Sequence, residues 1–161
     1  MRGLEEIIAD HGSGLARVAA SYEADRMLRE DLVQEILIAI HQALPSLANP
    51  ERLVPFIFRI AHNRGVTHVA RQVGARRADQ RAALDAVPPE SPEERMISDE
   101  RANRVADAVR RLPLPYRQVM TLFLEELTYA EIAEALEISV SNVGVRVNRA
   151  KAQLKAMLDD E

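Results

Sequence analysis

The chain has 161 residues, 47% of them hydrophobic and 29% charged, which is typical of one globular domain or two small ones and excludes a disordered chain. It has no cysteine, which excludes disulfides and thiolate metal sites and fits a reducing cytoplasm. The acidic start lacks an apolar signal region, and the longest uncharged run, Ile36 to Pro50, is too short for a bilayer, so we expect a cytoplasmic protein without membrane insertion.

The net charge of −4 is distributed unevenly along the chain. The segment from Arg59 to Arg81 carries a charge of +5, the segment from Asp85 to Glu100 carries −5, and the segment from Ser139 to Lys155 carries +4. Two basic blocks therefore flank an acidic middle. Such blocks indicate either nucleic-acid-binding surfaces or ordinary solvated helix faces.

The first strongly periodic segment runs from Leu32 to Leu44 and predicts an amphipathic helix. Its apolar stripe consists of Val33, Ile36, Leu37, Ile40 and Leu44. Its opposite face is acidic and hydrogen-bonding, with one apolar residue, and consists of Asp31, Gln34, Glu35, Ile38, His41 and Gln42. That face suits a basic protein partner, and the alternative is plain exposure to solvent.

A second helix is predicted from about Pro55 to Gln72, after a short turn at 50–54. Asn49 is a residue type that often caps a helix, and Pro50 is a residue type that often occupies the first helical position. The helix carries a polar and basic set, Arg59, His62, Asn63, Arg64, Thr67, His68 and Arg71. Phe56 and Phe58 lie near its start, where aromatic residues serve either a single-strand-binding surface or the core. The two histidines lack acid or cysteine neighbours, so we expect no metal site.

The segment from Ala82 to Ser98 holds Pro88, Pro89 and Pro92 among acidic and small residues, which is typical of a linker. No run alternates with period two between turn residues, so no strand is predicted. We therefore expect an all-α fold of two small helical domains, at 1–82 and 99–161, joined by a flexible acidic linker at 83–98.

The C-terminal domain holds a predicted helix-turn-helix. Thr128 and Glu131 have the spacing of a capping box, a turn follows at Glu137, and Ser139 is a candidate second cap. The second helix has an apolar stripe of Val143, Val147, Ala150 and Leu154. Its other faces carry Ser141, Asn142, Val145, Arg146, Asn148, Arg149 and Lys151. This geometry suits entry into a DNA major groove, and the alternative is a plain helical hairpin.

Two residues of this motif weaken it locally. The turn commonly carries glycine, and a left-handed Glu137 would cost roughly 1 kcal/mol. Gly144 inside the second helix costs about 1 kcal/mol relative to alanine. We therefore expect this helix to be less rigid than most.

Three motifs in order resemble a known family. The run from Asp31 to Glu35 resembles the polymerase-binding motif of sigma region two, and the run from Phe56 to Asn63 resembles its promoter-melting motif. Leu112-Pro113, Pro115-Tyr116-Arg117, and the stretch from Thr128 to Lys151 resemble region four. With a short acidic linker and no middle domain, this layout resembles the extracytoplasmic-function (ECF) sigma factors of bacterial RNA polymerase.

The resemblance implies a protein that binds core RNA polymerase, recognises promoter DNA and helps to open it, with an anti-sigma factor as regulator. It implies neither an enzyme nor a cofactor, and no nucleophile–base set or phosphate loop occurs in the sequence. It assigns polymerase binding to Asp31, Gln34, Glu35 and Ile38. It assigns the upstream-of-start element to Asn49, Arg59, Asn63, Arg64, Thr67, His68 and Arg71. It assigns the distal element to Ser141, Asn142, Arg146, Asn148, Arg149 and Lys151.

The chain departs from the family pattern at three places. Phe56 stands where family members often have tryptophan, Gly144-Val145 stands where they often have a basic residue and serine, and Glu137 replaces the turn glycine. Two alternatives therefore stay open. One is a sigma mimic that captures an anti-sigma regulator without binding DNA, and the other is a stand-alone helix-turn-helix regulator.

Overall fold

The computed structural model describes residues 3–79 and 100–159, with the side chains of 75–79 and 102 left out. The predicted linker at 83–98 lies outside the described residues, which contain helices and no strand. The all-α fold is therefore confirmed. The helices are α1 (Leu4–Tyr22), α2 (Arg26–Ala43), α3 (Leu53–Asp79), α4 (Glu100–Arg111), α5 (Leu114–Leu124), α6 (Tyr129–Leu136) and α7 (Val140–Asp159), with short 3-10 turns at Leu44–Ser46 and Pro50–Arg52.

Side-chain caps mark the start of α2 and of the 3-10 turn that leads into α3. The Asp25 side chain accepts a hydrogen bond from the backbone N–H of Leu28 at 3.1 Å and caps α2. The Asn49 side chain accepts from the backbone N–H of Glu51 at 3.0 Å, ahead of Pro50, as the sequence predicts. The proline at 55 lies in the first turn of α3, where its missing N–H costs nothing.

Helix α3 is longer than the sequence predicts, because it reaches Asp79 rather than Gln72. No proline follows Gln72 before the end of the helix, and its last residues include alanine and arginine, which are good helix formers. The amphipathic stripe ends before the helix does, so periodicity alone placed the boundary too early.

The C-terminal motif is built as predicted. Thr128 accepts from the backbone N–H of Glu131 at 3.1 Å, and the Glu131 carboxylate accepts from the backbone N–H of Thr128 at 2.9 Å. Ser139 caps α7 by accepting from the backbone N–H of Asn142 at 3.1 Å. Glu137 is left-handed, with φ 58° and ψ 43°. The buried residues of α7 are Val143, Val147, Ala150 and Leu154.

The buried apolar residues of both halves form one core. In the N-terminal half, α1, α2 and α3 pack on one another, and in the C-terminal half α7 packs on α4, α5 and α6. Helix α1 also packs on α4 and α5, and α3 packs on α6. The two halves are therefore in direct contact, which the sequence did not predict.

No helix within the described ranges is long and apolar enough to cross a membrane.

Candidate polymerase-binding and DNA-binding surfaces

One face of α2 presents the predicted polymerase-binding residues. Asp31 and Gln34 are exposed, and Ile38 is an apolar side chain that is 57% exposed. They lie at helical spacing opposite the buried residues Leu32 and Ile36. An exposed isoleucine among polar side chains can make an apolar contact with a partner protein, whereas a face that meets only solvent gains nothing from it.

The fourth residue of this set, Glu35, links α2 to α3. Its carboxylate accepts a hydrogen bond from Arg71 at 3.2 Å, and both side chains are partly exposed. Arg71 is one of the residues expected at DNA. The ion pair therefore places the end of the candidate DNA surface beside the candidate polymerase surface.

The outer face of α3 carries Asn63, Arg64 and Thr67, all of them exposed. The Thr67 hydroxyl donates to the backbone oxygen of Asn63 at 3.0 Å, so Thr67 is partly satisfied within its own helix. Asn49 is exposed at the 3-10 turn that precedes α3. Its side-chain oxygen serves as a cap, which leaves its amide N–H groups as donors.

His68 does not join this face. Its ring is buried and its Nε2 lies 2.9 Å from the Glu23 carboxylate, at the end of α1. In this conformation the side chain has no path to DNA, so we treat His68 as a packing residue. Phe58 is also buried, while Phe56 is partly buried against the core. Both phenylalanines therefore pack in the core, and not on a surface for single-stranded DNA.

Arg59 faces the C-terminal half instead of solvent. Its Nη2 donates to the backbone oxygen of Glu134, near the end of α6, at 2.6 Å, and its Nη1 lies 3.6 Å from the Glu137 carboxylate. A cation at a helix C-terminus is favoured by the unpaired carbonyls there. The Arg59 Nε atom is buried and has no partner among the described residues. An unsatisfied buried donor is costly, so this contact is not an optimal one.

Three of the described ion pairs between the two halves share one polarity. Arg17 pairs with Glu125 at 2.5 Å, and Arg52 pairs with Glu134 at 3.1 Å. With the Arg59–Glu137 pair, the N-terminal half supplies the cations and the C-terminal half the carboxylates. These pairings are not predictable from the sequence, because the partners stand far apart in the chain.

A buried hydrogen-bond chain also joins the halves. The Tyr22 hydroxyl lies 2.6 Å from His62 Nδ1, and Thr121 Oγ1 lies 3.3 Å from His62 Nε2. Burial lowers the pKa of His62 to about 3 and raises the pKa of Tyr22 to about 12. Tyr22 is therefore protonated and His62 neutral. Because the Thr121 hydroxyl donates to a backbone oxygen of α5, it accepts from His62 Nε2, and His62 Nδ1 then accepts a hydrogen bond from the Tyr22 hydroxyl. His62 is a packing residue rather than a nucleic-acid ligand.

The outer face of α7 is open to solvent. Ser141, Asn142, Asn148, Arg149 and Lys151 are exposed, whereas Arg146 is half-buried. The Lys151 ammonium also lies 4.3 Å from the centre of the Phe123 ring, a cation–π contact. The helix has no acidic residue before Asp159, so this face has the charge that a phosphate backbone requires.

No cluster of metal-ligating side chains occurs in residues 3–79 or 100–159. An apolar cavity of about 340 Å³ lies between the halves and is lined by Val105, Val109 and Leu124 together with Arg17 and Glu125.

Comparison with known proteins relates this architecture to one family. Residues 7–74 match the family model for sigma-70 region 2, and residues 102–154 match that for sigma-70 region 4. The chain is similar to the ECF RNA polymerase sigma-E factor of Escherichia coli, with 30% identity over 75% of this chain and 69% of that protein.

Two solved structures share the fold. CnrH in complex with the cytosolic domain of CnrY has a TM-score of 0.72 and 25% identity, covering 98% of this chain and 88% of that one. The sigma factor RpoE of Bartonella quintana, in complex with the anti-sigma factor NepR, has a TM-score of 0.74 and 20% identity, covering 96% and 95%. The chain therefore belongs to the ECF group of the sigma-70 family and is a sigma factor that initiates transcription with RNA polymerase.

Proposed function

We propose that this sigma factor divides its work among three surfaces. The exposed α2 face, with Asp31, Gln34, Glu35 and Ile38, binds core RNA polymerase. The outer face of α3 and the preceding turn, with Asn49, Asn63, Arg64, Thr67 and Arg71, bind the upstream-of-start element. The outer face of α7, with Ser141, Asn142, Arg146, Asn148, Arg149 and Lys151, binds the distal element as duplex.

The observation that carries this proposal is the open, acid-free outer face of α7. Its basic and amide side chains are exposed, apart from the half-buried Arg146, and the helix packs on α4, α5 and α6 of its own half. Such a face neutralises phosphates and reads base edges. A sigma mimic that does not bind DNA would not need such a basic face. A stand-alone helix-turn-helix regulator would have no use for the exposed face of α2.

Promoter binding by the N-terminal half requires a rearrangement. In the described conformation Arg59 contacts α6, so a phosphate reaches it only after α3 and α6 separate. The pairs are partly exposed and therefore weak, on the order of 1 kcal/mol or less each. Docking on the polymerase supplies the free energy that separates them, and Arg59 then joins the DNA surface.

An anti-sigma factor is the regulatory partner we propose. The RpoE relative is bound to an anti-sigma factor, and CnrH is bound to the cytosolic part of CnrY. The closed arrangement of the two halves and the likeness of fold support a similar partner here.

The decisive experiment is transcription in vitro by the full chain and core polymerase on a library of promoters. We expect specific initiation from a subset of the library. The variant carrying both Asp31→Ala and Gln34→Ala should form holoenzyme at least tenfold less well in gel filtration, with unchanged helical content. Glu6→Ala is the control, because it removes an exposed acid from α1 rather than from this face of α2.

The outcomes separate the candidates. Holoenzyme assembly without initiation on any promoter would favour the mimic. Tight, specific DNA binding by the free chain, without polymerase, would favour the stand-alone regulator. Normal assembly by the double variant would contradict the role of the α2 face.

A further inference from the structure

The outer face of α7 contains an apolar residue that the proposed surfaces do not use. Val145 is 46% exposed, and it lies one turn from both Ser141 and Arg149. At 100° per residue it points about 160° away from the buried Val143 and Val147. Val145 is therefore close to the centre of the face that the proposal turns toward DNA.

Packing within the chain does not account for this residue. Its neighbour Gly144 faces little crowding, since a Cβ there would meet only the Tyr129 ring at 3.8 Å. A basic or polar pair would fit at 144 and 145 and would add phosphate contacts. The chain instead places an aliphatic group in the first half of the helix, which is the part of a recognition helix that meets base edges.

The edges of the bases offer few partners for an aliphatic group. In the major groove, guanine, adenine and cytosine present hydrogen-bonding atoms, and thymine alone adds a C5-methyl group. An isopropyl group gains free energy against that methyl by removing apolar surface from water. Against any other base edge it would desolvate a donor or acceptor without replacing its hydrogen bond.

We infer that Val145 is a specificity-determining residue that contacts the C5-methyl of one thymine in the distal promoter element. The inference rests on the proposed function, because it requires α7 to enter the major groove there. Ser141, Asn142 and Arg149 surround Val145 and supply the contacts that position the helix. Val145 then selects a thymine where a polar side chain at 145 would prefer another base.

The test begins with the distal element that the full holoenzyme selects from a randomised library. A thymine should be enriched at one position by the wild-type chain and lose its enrichment with Val145→Ala. Replacing that thymine by deoxyuridine removes only the methyl group. Wild-type holoenzyme should then bind about 4-fold more weakly, the effect of burying one methyl, whereas Val145→Ala should bind both promoters equally.

Val140→Ala is the matched control. Val140 is 50% exposed on the same helix, but it lies about 140° around the axis from Val145. We expect this variant to keep both the thymine preference and the sensitivity to deoxyuridine.

Two results would overturn the inference while leaving the sigma function intact. One is equal binding of thymine and deoxyuridine by the wild-type holoenzyme at every selected thymine. The other is a loss of affinity for core polymerase in Val145→Ala without DNA, which would make Val145 a protein contact. Absence of initiation on the whole library would instead reject the proposed function itself.

Discussion

His62 illustrates how one buried residue ties stability to pH. Burial lowers its pKa to about 3, from 6.5 in the unfolded chain. Between about pH 3 and pH 6.5 His62 binds a proton in the unfolded chain but not in the folded one. The contribution of His62 to the free energy of unfolding therefore keeps its full value above pH 6.5 and falls as the pH is lowered from 6.5 toward 3.

We therefore expect His62 to contribute a slope of about 1.4 kcal/mol per pH unit to the free energy of unfolding in that window. His62→Gln should remove this part of the slope, as measured by urea unfolding between pH 4 and pH 7. The exposed His41→Gln should keep the wild-type slope. Identical slopes for wild type and His62→Gln would show that the buried site takes up a proton in the folded state.

Arg149 is the residue at which the proposed distal-element contact is most directly tested. It is exposed on the outer face of α7. For holoenzyme bound to its selected promoter, Arg149→Ala should weaken binding and reduce the slope of log K against log salt by about one. Arg104→Ala removes an exposed arginine from α4 and should leave the slope unchanged. A wild-type slope for Arg149→Ala would reject the phosphate contact.

At the scale of elements, the packing of α1 on α3 depends on the absence of a side chain at Gly65. A Cβ there would lie 2.4 Å from the Tyr22 ring, whereas a Cβ at Gly74 in the same helix would meet nothing within 4 Å. The two glycines therefore test packing and helix propensity separately.

We expect Gly65→Ala to lower the free energy of unfolding by roughly 1–3 kcal/mol, because the buried Tyr22 ring must shift. Gly74→Ala should leave it unchanged or raise it by up to about 1 kcal/mol. Thermal unfolding of both variants gives the comparison. Equal stabilisation by both would mean that Tyr22 does not pack against Gly65 in solution.

For the whole molecule, the contact between the halves is the feature with functional consequences. It includes the buried Tyr22–His62–Thr121 hydrogen bonds and the three ion pairs described above, and it holds Arg59 against α6. The conformation described is therefore a closed one, in which the outer face of α7 is exposed and Arg59, part of the proposed N-terminal DNA surface, is covered by α6.

The Arg17–Glu125 pair reports on this closed state. Alanine substitutions at both positions, singly and together, should give a coupling free energy of up to about 1 kcal/mol in unfolding measurements at low salt. The coupling should shrink at high ionic strength. The exposed Arg26–Glu30 pair within α2 serves as a local control. A coupling of zero at low salt would contradict a stable Arg17–Glu125 ion pair in the free protein.

The sequence by itself determined the features that arise within a few residues. The Thr128–Glu131 box, the Ser139 cap, the left-handed Glu137 and the buried stripe of α7 are all interactions or spacings of at most one or two helical turns. The family followed from three short motifs in order, because each motif is contiguous along the chain.

Only the tertiary structure decided which helix faces meet. Periodicity shows that a face is apolar, but not against which partner it packs, so the contact of α3 with α6 was not predictable. His68 stands in a basic stretch and is therefore expected to be exposed, but it is buried and contacts Glu23, the residue that follows α1. Arg59 is expected at DNA from the sequence, but in the structure it donates a hydrogen bond to a backbone oxygen of α6. Such pairings depend on residues far apart in the chain, whose proximity is set by packing rather than by local composition.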